Sequence, residues 1–454
     1  MMQLTLSRVA QLSGGHLIGG DAAADTLTDG MTHDSRSVSA NQLFAALPGE
    51  QADGHDFAAA AARAGAVAAL VSRKLDLDIP QVVVEDVVRA MGLIASGWRD
   101  ELGVEVIGIT GSNGKTTVKE MVAAILSEDG PTLATRGNYN NEIGVPLTLA
   151  RLDRSHRYAV VEMGCGQPGD IRYLAELAHP RIGVVTNAGP AHLERLGSIE
   201  GVANTKGELF AALPSDGVAI INADDAFADQ WRQTASHCRR LTFGLKAGAD
   251  VHPAASDGDV LDMDTPAGRI VTRLAVPGQH NRINALAATA VAIALEIEPE
   301  KIARALAGIR SLPGRLEMHR SPAGWSLIDD TYNANPASLY AGLRVISEMD
   351  GEPWLVLGDM AELGTWSDKL HSEMGQAAAD LGVRRLFTVG TQSRASQITF
   401  GAGGNHYDDH ETLASALAEA LHPGVICLVK GSRSMGMERI VQALISRDSN
   451  GEKS

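Results

Sequence analysis

From residue 104 onward the chain repeats one pattern: a short, wholly apolar run, a polar or glycine-rich turn, then a longer stretch with helical spacing. The runs at 104–110, 158–163, 182–187 and 218–222 do not alternate apolar with polar positions. Continuous runs of that length predict strands buried on both faces, in a mostly parallel sheet covered by helices. Before residue 104 the pattern is less regular: short strand-like pieces, a helix near 57–65, an apolar run at 67–71 and another at 82–84. A Pro313-Gly314 dipeptide follows an amphipathic stretch at 299–309 and predicts a linker. Beyond it the alternation restarts, with strands expected at 325–328, 354–357, 386–389 and 425–429 and helices near 336–347, 368–380, 411–421 and 435–445. That is a second doubly wound unit, whose ligand-facing loops should be the strand ends 329–338, 358–364, 390–394 and 430–434. The expected fold class is α/β in three domains, 1–86, 87–311 and 312–454.

Composition narrows the function classes. A chain of 454 residues exceeds one ordinary core, and 44% apolar residues is a globular content. The formal net charge of -16 lacks the basic footprint that nonspecific nucleic-acid binding needs, so no nucleic-acid partner is expected. An anionic ligand must then be held by local devices. Cys165, Cys238 and Cys427 have no ligand spacing and fit a reducing compartment. The N-terminus lacks a signal-peptide pattern, and the most apolar stretches, 57–71 and 283–297, are short and Ala-rich. A cytoplasmic protein with no membrane partner is the expectation.

The strongest local signal is TGSNGKTT at 110–117, between a predicted strand and a predicted helix. A glycine-rich turn at a helix N-terminus offers outward backbone N–H groups to a polyphosphate. Lys115 would add a point charge and Thr116 a hydroxyl for magnesium. The match to the general phosphate-loop pattern is incomplete, because Ile109 stands where a glycine is usual, with Gly108 and Gly111 on either side.

Other candidates are less specific. Glu162 ends a predicted strand and is either a magnesium ligand or a solvated strand-end carboxylate. His192 lies in a turn and Lys206 on the following helix, and spacing alone leaves both as ordinary turn and surface residues. Asn138, Asn140 and Asn141 form either a polar ligand loop or an Asx-turn cluster. The 279–284 segment, with Asn281 and Asn284, reads equally as a capped helix start. DDTYNANPAS at 329–338 sets carboxylates and amides at a strand end, and Lys430, Ser432 and Arg433 form a compact cationic cluster.

Taken together, TGSNGKTT, GNYNNEIGVPLTL, EMG at 162–164, TNAGPAHLERLGS, NTKGEL, PGQHNRINALAA, LPGRLE, DDTYNANPAS, GDMAELG and KGSRSMGME resemble, in this order, the Mur ligases of peptidoglycan synthesis. HDSRSVSANQLFAALPGEQADGHDF at 33–57 is similar to the uridine-nucleotide-binding block of one branch of that family. The resemblance implies an N-terminal α/β uridine-nucleotide-binding domain, a central P-loop ATPase domain and a C-terminal Rossmann-like ligase domain. It implies ATP and Mg²⁺ as cofactors, with UDP-N-acetylmuramoyl-tripeptide and D-alanyl-D-alanine as partners, and a monomer is expected.

Carried over position by position, the resemblance assigns Gly111, Ser112, Asn113, Gly114, Lys115, Thr116 and Thr117 to the ATP phosphates. Thr116 and Glu162 would share one Mg²⁺ and His192 would help hold a second, beside Lys206 carried as a carbamate. Asn281 would face adenine, and Arg315 and Asp330 would reach the nucleotide from the hinge and the C-terminal domain. Ser35 and Arg36 would contact the uridine diphosphate, while Tyr332, Asn333 and Asn335 would line the dipeptide side. Two departures stand out: Thr205 replaces the family's usual alanine beside Lys206, and the Asp-Asn-Pro-Arg motif of the diaminopimelate-adding branch is absent. That absence points to the dipeptide-adding branch. The remaining rivals are a tripeptide-forming Mur ligase, a folylpolyglutamate-type synthetase and a P-loop NTPase that drives a binding switch.

Overall fold

A computed structural model describes residues 1–49, 52–257 and 259–451. The central sheet has six strands, all parallel, in the order Arg239–Phe243, Val218–Asn222, Ile182–Val185, Glu105–Thr110, Tyr158–Glu162, Thr132–Ala134. Its inner strands are buried on both faces, as their unbroken apolar runs predict. Glu105–Thr110 lies near the middle, so the turn after it opens where neighbouring strand ends converge.

The C-terminal sheet also has six strands, ordered Glu317–Arg320, Ser326–Asp330, Val425–Lys430, Glu352–Gly358, Arg385–Val389, Gly404–Tyr407. All pairs are parallel except the first, and separate apolar clusters cover the two faces. The doubly wound expectation is met, with two strands more than the four read from the pattern. Both extra strands are edges, EMHR and GNHY, which face solvent and carry no apolar run. The same reason hid the central edge strands, while the antiparallel sheet of His252–Asp257, Val260–Thr265 and Gly268–Arg273 escaped because its apolar residues are interspersed with charged and polar ones.

The N-terminal sheet runs His16–Ile18, Gln81–Val83, Ala68–Val71, Leu43–Ala45, Met31–Thr32 and is parallel apart from its first pair. The helix Val87–Asp100, capped by the Asp86 side chain, joins this block to the central one. Its buried Met91, Ile94 and Trp98 share one cluster with Leu43 and Leu70 on one side and Val106 and Val161 on the other. The Trp98 indole N–H donates to the Leu152 carbonyl at 3.0 Å, so this aromatic is fixed as well as buried. Among the described residues no helix is long and apolar enough to cross a membrane.

The Ala-rich helix Gln279–Ala294 packs against Lys115–Ser127, the helix that leaves the phosphate-binding turn. Ala285, Ala287, Ala288, Ala290 and Ala292 are all buried on it. Its first turn has no side-chain cap; Asn281 and Asn284 are buried instead, with Asn284 Nδ2 donating to Asn281 Oδ1. The capped-start reading of that segment is therefore set aside in favour of inward-facing amides.

Candidate active site

A cleft of about 1810 Å³ opens where the central and C-terminal sheets present their strand ends to each other. Ser112–Thr117 form one wall. Gly111 adopts φ +151°, and a Cβ there would collide with the Thr186 side chain. Gly114 adopts φ +81°, with Asn284 where a Cβ would sit. Both positions need glycine, whereas Ile109 is a buried residue of the preceding strand. Gly114 caps the helix with no side-chain hydrogen bond, leaving first-turn amides for a ligand. The N–H groups of Ser112 and Asn113 are not free: they donate to the Asn187 backbone and side-chain oxygens, both at 3.0 Å. Asn187, missed in the sequence, thus sets the turn's shape from the next strand end.

Lys115 Nζ donates to the Gly111 carbonyl at 2.7 Å. Desolvation, then the nearby Lys206 cation, pull its pKa down to about 8. Thr116 Oγ1 accepts from Arg315 Nη2 at 2.9 Å, and the Arg315 guanidinium lies 4.1 Å above the Tyr332 ring. The hinge arginine is therefore anchored on both domains. Asn335, the capping residue of helix Pro336–Ser347, donates from Nδ2 to Asn113 Oδ1 at 2.7 Å across the same boundary.

Glu162 is buried at 2% exposure, which removes the solvated strand-end reading. Its Oε1 accepts from Asn140 Nδ2 at 2.8 Å, and its Oε2 has no partner. A buried carboxylate oxygen without a donor is costly unless a cation completes it. With the Thr116 hydroxyl on the same cleft, these residues fit a divalent ion. Among the described residues the cluster of His and carboxylate donors within 4.8 Å of one another is Glu317, His319 and Asp329, which contains none of these candidates.

Lys206 is also buried, against the surface-lysine reading, and its Nζ lies 3.6 Å from Cys165 Sγ. Burial lowers its pKa, favouring the neutral amine. The Thr205 hydroxyl donates back to the Gly201 carbonyl on its own helix at 2.9 Å, so it is spent locally and not on Lys206. His192, at φ +56°, is half-buried and places Nδ1 2.5 Å from Glu362 Oε2 of the C-terminal domain.

On the facing wall, Asp330 is joined to Lys430 Nζ at 2.5 Å. Burial raises the Asp330 pKa, opposed by the Lys430 charge. Lys430 also donates to the Asn333 carbonyl at 2.9 Å, and Ser432 Oγ accepts from the Ala361 amide. The cationic cluster expected at 430–433 is thus divided: Lys430 and Ser432 are buried structural partners, and Arg433 alone is exposed.

Asn138, Asn140, Asn141, Glu162, His192, Lys206, Asn281, Arg315, Asp330, Tyr332, Asn333 and Asn335 all line this cleft with the phosphate-binding turn. Ser35 and Arg36 do not; Arg36 is an exposed loop residue bonded to Asp34.

Three families match along the chain: the Mur ligase family catalytic domain at 28–107, the Mur ligase middle domain at 109–292, and the Mur ligase glutamate ligase domain at 314–433. The chain is 41% identical to UDP-N-acetylmuramoyl-tripeptide–D-alanyl-D-alanine ligase of Escherichia coli K12, over 98% of this chain and 99% of that protein. Its structure is similar to MurF from Acinetobacter baumannii, with a TM-score of 0.91, 32% identity, and 98% and 99% of the two chains covered. It is also similar to MurF ligase from Thermotoga maritima in complex with ADP, with a TM-score of 0.83, 26% identity, and 93% and 98% covered. With these domains in order along a chain that matches a relative end to end, this protein belongs to the Mur ligase family.

Proposed function

We propose that this chain is an ATP-dependent ligase that joins D-alanyl-D-alanine to UDP-N-acetylmuramoyl-tripeptide, acting as a monomer in the cytoplasm during peptidoglycan precursor synthesis. The observation that carries this reading is the single cleft uniting a phosphate-binding turn, the buried Glu162 with its unpaired oxygen, and the buried Lys206. The relatives bearing that activity match over nearly their whole length, and one is known with ADP bound. The proposed division remains 1–86, 87–311 and 312–454, with the uridine diphosphate end of the substrate on Ser35 and Arg36. Their separation from the cleft suits a long substrate whose nucleotide and peptide ends are held by different domains.

In the reaction, the terminal carboxylate of the tripeptide attacks the γ-phosphate of ATP, the bond to ADP breaks, and an acyl phosphate forms. The dipeptide amine then attacks the acyl carbon, loses a proton and expels phosphate. Two anions must meet in the first step, so charge neutralisation is the main demand on the site. Lys115 and the first-turn amides face the phosphates, while Asn281 faces the base and Arg315 and Asp330 hold the nucleotide from the hinge side. Asn138, Asn140, Asn141, Tyr332, Asn333 and Asn335 position the peptide and the incoming amine. Thr116, Glu162, His192 and a carbamate on Lys206 would hold Mg²⁺, which when bound supplies further positive charge at the phosphate oxygens. The Lys206 amine adds CO₂ and loses a proton, becoming a carbamate anion that attracts Lys115. Contacts across the domain boundary close the site, and closure protects an acyl phosphate from water.

The direct test is phosphate release from ATP and UDP-N-acetylmuramoyl-tripeptide, with D-alanyl-D-alanine present or omitted. Release that depends on the dipeptide is expected; equal release without it would favour the NTPase rival. Glu162→Gln keeps the shape and removes the charge. It should raise the magnesium concentration needed for half-maximal rate and lower kcat by about 10- to 100-fold. An unchanged magnesium titration would remove Glu162 from the metal site.

A further inference from the structure

The contact between His192 and Glu362 has unusual backbone support on both sides. Glu362 has φ +61° and His192 φ +56°, a left-handed conformation that side-chain-bearing residues seldom adopt. Such conformations persist where the surroundings impose them, and they collect at working sites. The loop carrying Glu362 is fastened within the C-terminal domain. Asp359 Oδ1 accepts from the Gln392 and Ser393 amides at 3.0 and 2.7 Å. The Met360 amide donates to His371 Nε2 at 3.0 Å, and the Ala361 amide to Ser432 Oγ at 2.7 Å. The carboxylate is therefore presented from a fixed base.

The loop carrying His192 is fastened to the phosphate-binding turn. The Gly189 amide donates to Ser112 Oγ at 2.9 Å, and that hydroxyl donates back to the Gly189 carbonyl at 3.1 Å. A continuous set of contacts thus runs from the C-terminal domain through Glu362 and His192 to Ser112. The 2.5 Å approach of Glu362 Oε2 to His192 Nδ1 is its central link.

We propose that Glu362 is a positioning residue of the ligase reaction: on docking of the C-terminal domain its carboxylate accepts a hydrogen bond from His192 Nδ1–H, which fixes the ring and points Nε2 at the cleft side as the ligating nitrogen. A histidine held this way is a better and better-oriented ligand for a cation, so docking and ligand competence are coupled through one hydrogen bond. The role rests on the proposed function, in which His192 serves the metal end of the cleft.

The test is a double-mutant cycle read by calorimetric Mg²⁺ binding to the nucleotide-bound protein in the absence of the tripeptide, and by dipeptide-dependent phosphate release across a magnesium series. Wild type, Glu362→Ala, Glu362→Gln, His192→Ala and the double variant His192→Ala/Glu362→Ala are compared. Glu362→Ala is expected to lose about 10- to 100-fold in kcat and to need more magnesium. Glu362→Gln, which keeps an acceptor oxygen without its charge, should lose less. The double variant should match His192→Ala within about twofold, because a residue acting through another has nothing left to position. Losses that add, or an unchanged magnesium demand in Glu362→Ala, would overturn the role. If Glu362→Ala melts at a lower temperature than wild type, the decision passes to Glu362→Gln, for which an unshifted magnesium titration overturns it. Wild type that releases phosphate without the dipeptide refutes the proposed function itself, an outcome separate from additive losses in an active ligase.

Discussion

Lys206→Ala is expected to lower turnover about 1,000-fold, in the range seen when a preorganised charge-stabilising group is removed. Two physical facts about the residue lead there. Its amine is buried with a thiol as its polar neighbour, and burial favours the uncharged form. An uncharged amine is the form that captures CO₂. A cation there would repel Lys115, whereas a carbamate would attract it and offer anionic oxygens to magnesium. Acetate or propionate entering the space left by alanine should restore part of the activity by supplying those oxygens. Lys206→Arg, permanently cationic, should remain inactive. The checks are steady-state rates with and without the added acid, and intact-protein mass for the CO₂ increment on Lys206. An active arginine variant with no mass increment in wild type would return Lys206 to a plain buried lysine.

Lys115→Ala should cost about 100- to 1,000-fold in kcat while leaving the melting temperature unchanged. Among the described residues the Lys115 ammonium bonds to carbonyls of its own turn, Gly111 and Ser112. Truncation therefore removes little folded-state stability. The loss should appear in kcat as well as in the KM for ATP, since charge builds on the transferring phosphoryl group in the transition state. Near-normal turnover in Lys115→Ala would count against the whole assignment of residues 110–117.

The phosphate-binding turn was legible in the sequence because its requirements are local. Glycines at two crowded positions, a lysine and a threonine, and a strand and helix on either side all fall within a few residues. The buried strands were legible for a similar reason, since continuous apolar runs such as Val218–Asn222 have few other uses. Edge strands such as Gly404–Tyr407 escaped because a solvent-facing strand needs no apolar pattern. The site's long-range links left no local trace. Nothing near Thr116 announces Arg315, and nothing near His192 announces Glu362. For Glu162 and Lys206 residue type and neighbourhood were legible, but burial decided between the bland and the chemical readings. Burial is a property of the assembled core, so it could not be read from either position alone.

The helix Gln279–Ala294 is built, over its buried face, largely of methyl groups, and it lies directly on the helix that leaves the phosphate-binding turn. Side-chain size at such a contact sets the distance between helix axes. Asn281 lies in the first turn of one helix and Gly114 caps the other, so the packing between the helices sets how far apart these two residues stand. Each added methylene would push the two apart or strain the packing. Ala285, Ala287, Ala288 and Ala290 are all fully buried, so a larger side chain at any of them must displace a neighbouring helix or strand, and a glycine there would loosen the helix and leave a void.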